Sequence, residues 1–79
     1  MKKIGKVVHY FDKIMVAVVK LSGPLKVGDT VQFSGHNLDF NQTISSMEVD
    51  HLPVKSGKKG DEVAMKVDMP AKDGMEVSK

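Results

Sequence analysis

The sequence predicts an all-β fold: a small closed or nearly closed six-stranded antiparallel β-barrel, with residues 1–79 forming one domain. Three observations lead there. β-branched and aromatic residues gather in short runs, and turn formers separate the runs. A turn pattern recurs as Lys26-x-Gly28-x-x-Val31, Lys58-x-Gly60-x-x-Val63 and Lys72-x-Gly74-x-x-Val77. Each copy supplies a glycine for a turn and an apolar residue where the next strand first faces inward. No longer repeat surrounds these copies, so they are recurrent turn chemistry and not a solenoid. Closure suits so short a chain, because it removes adhesive strand edges.

Ile4–Tyr10 reads as the first strand, with Ile4, Lys6, Val8 and Tyr10 on one face and Gly5, Val7 and His9 on the other. Phe11-Asp12-Lys13 connects it to Ile14–Leu21, the most apolar run, whose only charge is Lys20. A strand apolar in both phases is expected at the centre, covered on both sides. The stretch Ser22–Phe33 organises the rest of the chain. Gly23-Pro24 stops the second strand, Leu25 and Val27 turn inward, Gly28-Asp29 makes a second turn, and Thr30–Phe33 leaves as the third strand. Gly35–Asn41 is crowded with turn formers and reads as a loop. Gln42–His51 is the fourth strand, with one bulge near Ser45-Ser46 to bring Ile44 into phase with Met47. Leu52–Gly60 is a polar loop, Asp61–Asp68 the fifth strand with Val63, Met65 and Val67 inward, and Met75–Ser78 the last. Met15, Met47 and Met65 fit inward positions as gap-fillers.

Composition excludes more than it assigns. Apolar residues make up 41% and charged residues 28%, enough for a packed fold and no case for disorder. The formal net charge is +2, and every basic residue is Lys. Without Arg the surface lacks the planar fork that reads guanine or phosphate through paired bonds, so any polyanion contact is diffuse and salt-sensitive. The absence of Cys removes disulfides, thiolate metal sites and a Cys nucleophile. Met1-Lys2-Lys3 could open a signal peptide, but Lys6 and His9 interrupt the apolar run that would have to come next. No stretch approaches a membrane span, so the cytoplasm and no membrane partner are expected.

The residues also resemble a known family. Gly5-x-Val7, the apolar strand, Gly23-Pro24-Leu25-Lys26-Val27-Gly28-Asp29-Thr30-Val31, Ser46-Met47, Lys59-Gly60-Asp61-Glu62-Val63-Ala64 and Asp73-Gly74-Met75 look like the second domain of translational GTPases of the elongation factor Tu and initiation factor 2 type. The likeness covers nearly the whole chain. It extends to small stand-alone translation-elongation-factor-like proteins through His9-Tyr10-Phe11, Gly35-His36, Asp39-Phe40 and the run from Ser46 to His51. A related barrel forms the tail of some collagenase-like peptidases. The resemblance implies a β-barrel that contacts tRNA, ribosomal RNA or neighbouring protein domains. The motifs are turn and strand motifs and carry no binding residue over. No phosphate-binding Gly-x-x-x-x-Gly-Lys-Ser/Thr occurs, and Ser56-Gly57-Lys58-Lys59-Gly60 has the residue types at the wrong spacing, so no GTP chemistry is expected.

Candidate sites are few. His9, His36 and His51 could take a metal with Asp39 or Asp50, but no pair has the spacing of local ligand motifs, so ordinary edge or loop histidines are expected and no cofactor. Glu48 with Asp50 alternates with Met47 and Val49, the pattern of a solvated face, and Asp61-Glu62 opens a strand; neither pair suggests acid–base catalysis. Ser22, Ser34, Ser45 and Ser46 lack a nucleophile elbow. Lys2, Lys3 and Lys6 cluster at one end of the sequence and Lys55, Lys58 and Lys59 in one loop, and together they could face phosphate or simply solvate the surface. Tyr10, Phe11 and Phe40 stand beside or in loops, where they could stack on bases, anchor a partner or cap the barrel ends. The expectation is a non-catalytic binding module for RNA or the ribosome, with a protein-interaction module as the alternative.

Overall fold

The computed structural model describes residues 1–79. It is built entirely from strands: β1 (Lys3–Phe11), β2 (Val16–Leu21), β3 (Leu25–Lys26), β4 (Thr30–Gly35), β5 (Leu38–Thr43), β6 (Met47–Val49), β7 (Leu52–Val54), β8 (Ser56–Gly57), β9 (Glu62–Lys66) and β10 (Glu76–Ser78). Eight of these form one antiparallel sheet in the order β5-β4-β10-β1-β2-β9-β6-β7, while β3 and β8 pair separately. No helix is long and apolar enough to cross a membrane.

The all-β expectation holds, but the ladder is open. Its ends, β5 and β7, do not pair with one another, so of the closed or nearly closed six-stranded barrel expected, full closure is not seen. A side chain ties β5 to the far half of the sheet instead. Gln42 of β5 is buried; its Oε1 accepts the N–H of Asp68, just beyond β9, at 2.7 Å, and its Nε2 donates to the Thr43 carbonyl at 2.9 Å. The Gly28 and Ile44 N–H groups donate to the carbonyls of Ile44 and Asp29, each at 2.8 Å, tying the start of β4 to the end of β5.

Two tight hairpins account for the extra strands. His36-Asn37 and Asp50-His51 all have positive φ (53° and 63°, 53° and 65°), the two-residue turn whose twist matches that of paired strands. Asn and Asp tolerate that conformation and His less readily. The Gly35–Asn41 loop is therefore the first hairpin, and the loop expected after His51 begins with β7. The bulge expected near Ser45-Ser46 is a break, where the chain leaves β4 and re-pairs with β9 through Met47↔Met65.

The recurrent motif forms the turns expected of it. Asp29, Asp61 and Met75 donate their N–H groups to the carbonyls of Lys26, Lys58 and Lys72 at 3.1, 3.0 and 3.2 Å. The glycines at the third position, Gly28, Gly60 and Gly74, have φ of 99°, 95° and 90°. That is a type II turn, which demands positive φ at its third residue. In the first two copies the aspartate carboxylate accepts the lysine N–H, at 3.1 and 3.0 Å; in the third the Met75 sulfur takes that place at 3.2 Å. Val31, Val63 and Val77, three residues after each glycine, are fully buried.

Asp29 is tied further. Its Oδ2 accepts Lys79 Nζ at 2.7 Å, and this hydrogen bond, with lesser help from Lys26, holds the carboxyl below its ordinary range against the opposing effect of burial. A folded value below the unfolded one means the stabilisation is complete above the ordinary carboxylate range and is lost as pH falls through the lowered value. The contribution of so accessible a pair is under about 1 kcal/mol. Asp29→Asn should therefore shrink the loss of stability between pH 7 and pH 3 in urea titrations; identical losses in both proteins would contradict the assignment.

The core comprises Ile4, Val7, Ala17, Val19, Leu21, Leu25, Val31, Phe33, Ile44, Met47, Val63, Met65, Val67, Ala71, Met75 and Val77. Met15, expected inside, is half-buried at positive φ before β2, and Val27, expected as a plug, is exposed. The facing of β1 also departs from simple alternation. Irregular register at Lys3/Gly5 against β10 and at Val7/His9 against β2 lets Ile4, Gly5 and Val7 all turn inward and leaves Val8 exposed.

Candidate docking surface

The expected binding residues separate into three places. Tyr10 and Phe40 are partly buried and pack against the core, so neither forms a free stacking platform. Phe40 lies on Phe33 with ring centroids 4.8 Å apart and planes 6° from parallel. Phe11 is 46% exposed, with the His9 ring edge-on at 4.3 Å.

Of the six lysines, Lys2, Lys3 and Lys59 meet. With Lys79, Ile4, Ser22, Gly23 and Pro24 they line a cleft of about 380 Å³. Lys6 lies outside it, opposite Lys20 and Glu76 in the sheet. Lys55 and Lys58 also stand apart; the Lys55 carbonyl accepts the Val27 N–H at 2.9 Å, and the Lys58 N–H donates to Asp61.

The histidines are dispersed. His9 faces Phe11, His51 sits in the β6–β7 turn, and the His36 Nε2–H donates to the Asp73 carbonyl at 2.9 Å. No three His, Asp or Glu side chains converge as metal ligands.

The feature that sequence reasoning missed is the outer face of β1, β2 and β9. Register places His9, Val18, Ala64 and Glu48 in one row across the sheet and Phe11, Val16 and Lys66 in the next. The row between them, Tyr10, Ala17, Met65 and Met47, points into the core. β2 is central, as expected, but it is fully covered on one side only. Ala17, Val19 and Leu21 are buried, whereas Val16 and Val18 are half-buried on the face away from the core. A shallow groove of about 180 Å³ lies there, lined by Val16, Ser46, Glu48, Ala64, Met65 and Lys66. The signal is the double-phased apolar run itself. It implies two covers, and the chain supplies one.

The comparisons correct the expected kinship. The chain is 33% identical over 73 residues to an uncharacterized protease of Methanocaldococcus jannaschii. That match covers 91% of this chain but 18% of the protease, so the chain spans under a fifth of its relative. Two crystal structures share the fold: the C-terminal domain of a protein described as a U32 peptidase from Geobacillus thermoleovorans, and its selenomethionine variant. The variant superimposes with a TM-score of 0.95 at 22% identity over 100% of both chains. The unsubstituted domain gives 0.93 at 22% identity over 99% of this chain and 91% of that one. No protein-family model matches the sequence. These relatives are peptidase-type proteins and not translational GTPases, so the translation and elongation-factor kinship expected from the sequence is corrected, and nothing in them supports the RNA or ribosome binding drawn from it. The shared turn and strand motifs specify a way of folding that both kinds of protein can use.

Proposed function

We propose that this chain is a non-catalytic docking module of a peptidase-type protein, packing the outer face of β1, β2 and β9 against a neighbouring polypeptide. The observation that carries the reading is the half-buried apolar phase of β2 on the face away from the core. Val16 and Val18 on a central strand, flanked by Phe11 and Ala64, form the kind of face that antiparallel sheets usually leave polar when it meets only water. Its length relationship to the Methanocaldococcus protease supports a polypeptide as the cover, since most of that protein lies outside the matching segment. The groove rimmed by Glu48 and Lys66 adds polar groups at the edge of the apolar strip, the composition of a protein interface with a polar rim.

Isothermal titration against a peptidase body encoded in the same genome, freed of its own copy of this module, tests the reading. The native chain should bind, and Val18→Lys should bind at least about tenfold more weakly, because the ammonium must be desolvated where a methyl pair was. Its melting temperature should be nearly unchanged. Absence of binding by the native chain, or equal binding by Val18→Lys, would contradict the proposal.

A further inference from the structure

We infer that the cleft of Lys2, Lys3, Lys59 and Lys79 is a carboxylate site that receives an acidic segment of a partner polypeptide. The inference shares with the docking proposal only the supposition of a polypeptide partner. The cleft lies at the start of β1 and the apolar face at its end, eight residues and about 25 Å along the strand. Variants at one place therefore leave the other intact.

Backbone hydrogen bonds fix the frame. Lys2 and Lys79 exchange both N–H···O bonds, at 2.8 and 2.9 Å. The Ser22 N–H donates to the Ile4 carbonyl at 2.8 Å, holding the Ser22-Gly23-Pro24 wall against β1. Lys59 is the second residue of the Lys58–Asp61 turn, and the Gly60 N–H donates to the Leu21 carbonyl at 2.9 Å. Four lysines from three distant stretches of sequence are thus brought to one concavity by a rigid backbone.

The charges there are unevenly satisfied. Lys79 is paired with Asp29 at 2.7 Å and Lys3 with Glu76 at 3.4 Å, whereas Lys2 and Lys59 have no carboxylate within 4.0 Å. The cleft itself is lined by no acidic residue. An arriving carboxylate meets two ammonium groups, those of Lys2 and Lys59, that no carboxylate of the chain pairs with.

The chemistry favours a carboxylate over nucleic acid. Lysine ammonium groups attract carboxylate and phosphate alike as point charges, so the rest of the lining has to decide between them. No aromatic ring lines the cleft to stack on a base, and Tyr10 and Phe40 are engaged with the core. A volume of about 380 Å³ admits one or two side chains of an extended segment.

The test is a titration of the ¹⁵N-labelled protein with a hexaglutamate peptide at about 50 mM salt, where exposed charges are weakly screened. Hexaglutamine and a six-nucleotide single-stranded RNA serve as the comparison arms. Hexaglutamate should shift Lys2, Lys3, Ser22, Gly23 and Lys59 saturably, and hexaglutamine should not. Lys59→Glu and Lys59→Gln should each weaken binding several-fold, and Phe11→Ser should leave it unchanged. Shifts spread over all twelve lysines would mean diffuse attraction and overturn the inference. So would RNA binding the cleft as tightly as the peptide, Lys59 variants that bind like the native protein, or no binding at millimolar peptide. If Val18→Lys docks as well as the native chain while the cleft still binds peptide, only the docking proposal is defeated.

Discussion

Phe33→Ala is expected to cost about 3–5 kcal/mol, the largest single loss in the molecule. Phe33 is completely buried, in the middle of β4, opposite Phe40 on one side and Val77 on the other. Truncation removes the largest fully buried side chain and opens a cavity among rigid strands that cannot collapse into it. It also removes the offset stack on Phe40, worth about 0.5–1.5 kcal/mol beyond the area buried. A domain of 79 residues has a total stability of roughly 4–12 kcal/mol, so the variant should lose between about a quarter and all of it. Urea denaturation followed by circular dichroism measures this directly. Phe40→Ala, which truncates a half-buried ring, should cost about half as much, and a Phe33→Ala loss below about 1 kcal/mol would mean the ring is not where the packing puts it.

Gly5→Ala is the second large effect, although it adds a single methyl. A Cβ on Gly5 would stand 2.6 Å from Val19 Cγ1 and 3.0 Å from the Lys20 carbonyl oxygen. Val19 is fully buried and β-branched, so it has almost no alternative rotamer. The Lys20 carbonyl belongs to the backbone of β2, directly across from β1. Neither neighbour can give way cheaply, and overpacking of this kind costs about 1–3 kcal/mol. The clash has a specific rescue: Val19→Ala in the Gly5→Ala background should recover part of the loss, and a double-mutant cycle in urea should show favourable coupling. Strict additivity would place the strain elsewhere. Gly28 and Gly60 differ in kind. Their added Cβ atoms would meet nothing within 4 Å, and there the left-handed φ rather than space selects glycine.

Much of the fold was legible because its signals are local. The three Lys-x-Gly turns, the buried Val31, Val63 and Val77, and the inward Met65 and Val67 follow from φ requirements and alternation. The hairpins at His36-Asn37 and Asp50-His51 were hidden because a His-containing pair is a poorer left-handed signal than Asn-Gly or Asp-Gly. Whether the sheet closes fully or only nearly was left open by the sequence. It depends on whether β5 meets β7, a long-range pairing that no local pattern specifies, and a buried Gln42 reaches Asp68 there in place of a ladder.

The candidate surface was legible in a similar, partial way. Counting lysines located two clusters, and the fold selected Lys2, Lys3 and Lys59 from them and added Lys79 from the far end of the sequence. Aromatic residues near loops suggested contact points, yet only Phe11 projects. The run Ile14–Leu21 carries the feature on which the docking proposal rests. Val16 and Val18 are apolar in the phase that the core does not use, and an apolar phase outside the core is one that a partner can cover.

The most direct test of the docking account is methyl NMR on Val16 and Val18 as the peptidase body is added. Their methyl resonances should move and gain contacts to the added chain, while those of Val63 and Val77, sealed in the core, stay in place. Binding that leaves the Val16 and Val18 methyls untouched would show that the outer face of β2 is not the docking surface.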